Sequence, residues 1–177
     1  MQPGFELRLT TMMKALSETV LPAVEAHNKA AVEQMHIVIG SLALLREQID
    51  FAHWFEVEEA RDMAGLIMEL AALAALPSTA SATDTARLGI ALAGRHDIRL
   101  STLRQANVDL RAAISLLIGE ASTAGDNSVF HRTQALVLAH GKRQIGRERA
   151  FVAATNFDVF PDTLRTIEET LQQPTAP

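Results

Sequence analysis

The sequence predicts an all-α protein built on an antiparallel four-helix bundle core. Three observations point there. Apolar residues make up 48% of the chain while aromatics are only 5% and Tyr is absent, so the apolar content is carried largely by helix formers such as Ala and Leu rather than by strand formers. Apolar positions recur in steps of three and four along several long stretches. Short turn-forming links separate these stretches, which favours antiparallel neighbours. At 177 residues the chain suits one helical-bundle domain over 1–177, with residues 172–177 expected as a frayed tail.

The first helical face is Phe5, Leu9, Met12, Leu16 and Val20, and Pro22 should end or kink that helix because it lacks a backbone donor. Asn28 is placed to cap a second helix over about 28–51. That helix carries the cleanest stripe in the chain: Ala31, Met35, Val38, Leu42, Leu45 and Ile49. The crowded aromatics of "DFAHWF" read as a connection. A third helix over about 55–76 opens with Glu56, Glu58, Glu59 and Asp62, where the helix dipole favours negative charge, and stops at Pro77. Its inner face is read as Met63, Leu66, Ile67, Leu70, Leu73 and Ala74.

Ser81 and Asp84 resemble a capping box for a short flanking helix over about 82–93. Asp97 is read as the cap of a helix over about 98–124, in which Leu103, Leu110 and Leu117 recur every seven residues. Gly125 then reads as a helix stop and Asp126 as the next cap, opening a last long helix over about 127–156. Phe130, Val137, Gly141, Ile145 and Val152 form its expected core face. Gly141 and Gly146 inside it suggest either a break or a close backbone approach. A short helix should follow Pro161.

Several chemistries are excluded. No cysteine is present, which removes disulfides, thiolate metal sites and cysteine nucleophiles. There is no phosphate-binding Gly loop and no Gly-x-Ser-x-Gly. The net charge of −5 argues against nucleic-acid binding, which needs concentrated positive charge. No apolar run is long enough to span a membrane, and no signal peptide opens the chain, so a cytoplasmic protein without membrane contact is expected. No cofactor can be named from the sequence.

Two constellations stand out. Glu33 and His36 form a Glu-x-x-His, the half-site of carboxylate-bridged di-iron bundles, but a second copy is missing and Glu33 lies off the apolar stripe. Both residues are therefore weak metal candidates, and a ferritin-like metal bundle is the least favoured reading. His140, Arg143 and Arg147 line one edge of the last long helix. Arg presents a flat donor fork suited to carboxylate or phosphate, so these three are the candidate site for a small anionic ligand. Against that, Glu56, Glu58, Glu59 and Asp62 can pair with the same arginines if the two helices are neighbours. The leading expectation is a non-catalytic interaction or regulatory module, a homodimer, with no catalytic residues. The alternative is an anion-binding protein or enzyme at the Arg/His edge.

Overall fold

In the computed structural model the chain is all-α, as expected, and the structure describes residues 4–155 and 158–171. The frayed tail expected over 172–177 lies outside the described residues. The helices are α1 (Phe5–Ala15), α2 (Leu21–Ala23), α3 (Lys29–Gln48), α4 (Ala52–Leu73), α5 (Thr79–Ala93), α6 (Leu100–Thr123), α7 (Asn127–Phe151) and α8 (Ile167–Leu171). The contacts group the chain into two compact units. Of the described residues, one contains 4–51, 149–155 and 158–164, the other 52–148 and 165–171.

In the first unit α1 passes through a π-helical segment, Leu16–Val20, and ends one turn later around Pro22, where the sequence places the stop. The Asn28 side chain caps α3 by accepting from the Ala31 N–H at 3.2 Å. α1 packs on α3. Yet α3, the helix with the cleanest stripe, has no fully buried residue, and Val38 and Leu45 are 44% and 46% exposed. At the other end of the unit Arg149 grips Asp158 through two 2.8 Å hydrogen bonds and reaches Thr163 Oγ1 at 3.0 Å. The Arg149 guanidinium and the Phe160 N–H together hold the Asp158 carboxyl down at about 2.

The second unit holds the main core. Val57, Met63, Leu66, Ile67 and Leu70 of α4 meet Ala82, Ala86 and Ala93 of α5 and Leu103, Leu110, Ile114 and Leu117 of α6, with Leu136 of α7 against them. The bundle is thus made by α4, α5, α6 and α7. The helix predicted as a flank over 82–93 takes the core place expected for the one over 28–51. Its inner positions are Ala82, Ala86, Gly89 and Ala93, which offer little apolar area each but let neighbouring helices approach closely. Gly89 marks the tightest point: a Cβ there would lie 2.9 Å from Leu110 Cδ1.

Helix ends divide into two kinds. Gly125 adopts φ +75°, and Asp126 Oδ1 accepts from the Ser128 and Val129 N–H groups at 2.8 and 3.2 Å, both as expected. The caps assigned to Ser81 and Asp97 are corrected. α5 begins earlier, at Thr79, so Ser81 lies inside it, and Asp97 binds Arg95 rather than the start of α6. α4 also begins earlier than Phe55, absorbing most of the aromatic segment read as a connection. Pro161 opens a 3₁₀ turn, Pro161–Thr163, and α8 starts afterwards with a reciprocal Thr166–Glu169 capping box that the reading missed.

α7 is continuous through Gly141 and Gly146, and a Cβ at either would meet nothing within 4 Å. Gly146→Ala should therefore raise stability by about 1 kcal/mol, the ordinary Gly-to-Ala gain in a helix interior. Urea denaturation followed by circular dichroism measures it; an unchanged or lower midpoint would show that the glycine is needed.

Candidate functional site

α4 carries acids at 56, 59 and 62, three residues apart, which keeps them near one face of the helix. α6 and α7 meet that face with donors. Arg104 Nε donates to Glu56 Oε1 at 2.9 Å, and the Asn107 amide donates to Glu56 Oε2 at 2.8 Å. Glu59 joins both neighbours: Arg111 of α6 donates to one oxygen at 2.7 Å and Gln144 of α7 to the other at 3.0 Å. Glu58, half-buried, pairs instead with Arg61 of its own helix.

The ladder ends at Asp62, only 2% exposed. Here the structure brings together all three residues of the expected Arg/His edge. Arg143 grips Asp62 Oδ1 with Nε at 2.8 Å and Nη2 at 2.6 Å. Arg147 Nη2 donates to Oδ2 at 2.7 Å. His140 Nδ1 lies 3.2 Å from Oδ2, within ion-pair distance but too poorly aligned for a well-formed hydrogen bond. His140 and Arg147 are each 7% exposed, whereas the Arg143 side chain is 43% exposed.

This corrects part of the expected core face of α7. Phe130, Val137 and Gly141 are half-buried, but Ile145 and Val152 point outward, at 56% and 44% exposure, while Thr133, His140 and Arg147 are buried. The polar edge faces inward because Asp62 supplies a partner that makes its burial tolerable.

Burial on its own would raise the Asp62 pKa. The His140 contact, the hydrogen bonds from Arg143 and Arg147, and the Arg147 charge outweigh it and hold the carboxyl well below the usual carboxylate range. A carboxylate lowered in the folded state adds stability that is complete above its unfolded value, here 3.8, and is lost as pH falls toward the folded value. The gap in urea stability between wild type and Asp62→Asn should therefore be constant at neutral pH and shrink below about pH 4. A gap that widened in acid would contradict the assignment.

Chemically, the cluster is suited to holding helices. The Asp62 carboxylate accepts on both oxygens and is a weak base, and guanidinium groups do not give up protons near neutral pH. The side chain that organises the cluster, Asp62, entered the sequence reading only as one of four counter-charges. The complementary spacing of 56, 59 and 62 against 104, 107 and 111 on α6 and 140, 143, 144 and 147 on α7 was the signal available.

The weak metal candidates, Glu33 and His36, are both exposed on α3. Among the described residues no three His, Asp or Glu side chains are grouped to hold a metal ion. Likewise, no helix of the described residues is long and apolar enough to cross a membrane. Elsewhere a groove between α5 and α6 is lined by Leu88, Gly89, Gln105, Ala106 and Asp109. Compared with family models, with curated proteins and with solved structures, the chain matches none.

Proposed function

We propose that the chain is a non-catalytic interaction or regulatory module whose second unit is a rigid helical platform. The observation that supports this reading most is the engagement of His140, Arg143 and Arg147 by Asp62. The three residues with the best credentials for ligand chemistry already have an anion, supplied by α4. Among its exposed residues α7 also presents two large apolar side chains, Leu138 at 66% and Ile145 at 56% exposure.

A second reading rests on a specific feature. Two guanidinium groups face one carboxylate at Asp62, and Arg143 is open to solvent, so a small anion has a charge to seek there. Thermal denaturation with orthophosphate, sulfate, citrate and ATP at fixed ionic strength separates the two. The platform reading expects shifts no larger than those from chloride. A saturable stabilisation by one anion that disappears in Arg143→Gln would overturn it in favour of the ligand site.

A further inference from the structure

α7 departs in part from an ordinary amphipathic helix, which buries its apolar stripe and shows its polar one: it buries polar side chains and leaves two large apolar ones outside. Its buried polar positions Thr133, His140 and Arg147 are seven residues apart, and so are its exposed large apolar positions Leu138 and Ile145. Between the latter lies Gly141, with open space where a side chain would be. A glycine in a helix interior costs about 1 kcal/mol relative to Ala, and among the described residues nothing lies within 4 Å of the gap it leaves. A gap of that kind on an apolar face suits the close approach of another helix.

The charges beside the stripe indicate what that helix is. At 100° per residue, Lys142 and Glu148 lie on opposite flanks of Ile145, about 60° to either side. Both are exposed, and among the described residues neither makes an ion pair; Glu148 only accepts from Gln144. When two identical helices pair in parallel about a two-fold axis, opposite flanks meet, and when they pair antiparallel, like flanks meet. Parallel pairing therefore sets Lys142 of each copy toward Glu148 of the other, offset by about 9 Å along the axis, a span that these two long side chains cover together. The face carries its own complement.

We infer that the outward face of α7, centred on Leu138, Gly141 and Ile145, binds the same face of a second copy in a parallel pair. This rests on the interaction-module reading and names its partner. The stripe from Ala135 to Glu148 is only about 20 Å long, so the association belongs with small, reversible interfaces rather than obligate ones.

The test is sedimentation velocity on the full chain from about 1 to about 500 µM, the range of weak association. Wild type is expected to show a concentration-dependent monomer–dimer equilibrium. Leu138→Glu and Ile145→Glu, both at exposed positions, should weaken it at least about tenfold, or 1.4 kcal/mol, without moving the thermal midpoint of the fold. Lys142→Glu and Glu148→Lys should each weaken it, and the two together should restore it. Because the chain has no cysteine, Ile145→Cys should cross-link to a covalent dimer under mild oxidation, as parallel pairing brings the two copies of that position together.

A monomer at every concentration, a dimer indifferent to Leu138→Glu, or a charge swap without rescue would each overturn the inference. None of these touches the anion titration, so a failed dimer leaves the module reading standing. An anion-specific stabilisation defeats that reading whatever the sedimentation shows.

Discussion

Asp62→Ala is expected to destabilise the protein by about 3–5 kcal/mol, the range found when one partner of a buried ion pair is removed. The cost comes chiefly from what is left behind. Arg147 loses its counter-charge and His140 its neighbouring carboxylate while both, at 7% exposure, are still out of water. Arg143 contributes less, since its side chain is 43% exposed and can turn to solvent. Arg143→Gln should therefore cost under about 1 kcal/mol. Replacing the buried trio together, with Asp62→Leu, His140→Phe and Arg147→Met, should recover much of the Asp62→Ala loss, because a filled apolar contact is often as stable as the ion pair it replaces. Urea denaturation of the variants measures all three. A loss below about 1 kcal/mol for Asp62→Ala would mean that α7 is held by something other than this cluster.

Leu110→Ala should cost about 2–5 kcal/mol, toward the upper end. Leu110 is fully buried, and its methyl groups sit over the bare backbone of Gly89. The wall facing the new cavity is a helix backbone with no side chain to fold into the space, so relaxation is limited. Gly89→Ala gives the complementary measurement. In wild type its Cβ would crowd Leu110 Cδ1 at 2.9 Å. In the Leu110→Ala background the same Cβ has room and fills part of the void. The two substitutions should be less harmful together than their separate effects predict, with a coupling on the order of 1 kcal/mol. Strict additivity would show that the two positions do not share the contact.

The comparison of sequence with structure follows the range of each signal. The all-α class was legible because it rests on local propensity and periodicity, and the ends at Asn28, Gly125 and Asp126 were legible because their chemistry is confined to a few residues. Ser78 shows how a distant residue interferes. It precedes α5, but its hydroxyl and N–H both go to Glu120, 42 positions away, at 2.6 and 3.0 Å. No local rule registers that. α5 was undervalued for a related reason: Ala82, Ala86 and Gly89 carry little hydrophobic weight, and their worth appears only when another helix closes on them. The polar edge of α7 was read as lying beside the core face rather than inside, because polar burial is a property of pairs. His140 and Arg147 belong inside only once Asp62 is known to face them. The converse error was α3, whose stripe is the most regular in the chain and whose residues are nowhere fully buried. Periodicity reveals that a face exists, not how completely it is covered.

The Asp62 cluster also determines how α4 and α7 can move against each other. Packed apolar surfaces tolerate sliding, since one Leu serves nearly as well as the next. Charges do not. Slipping α7 along α4 by one turn, about 5.4 Å, would bring Leu66 or Glu58 rather than Asp62 before Arg147. The first leaves a buried guanidinium facing a hydrocarbon, and the second must draw Glu58 away from its pair with Arg61. The interface therefore works as a single-notch detent: smooth on either side, with one position in which it holds. Whatever presses on the outer face of α7 meets a helix that is locked in depth and register, and the load passes to the whole bundle.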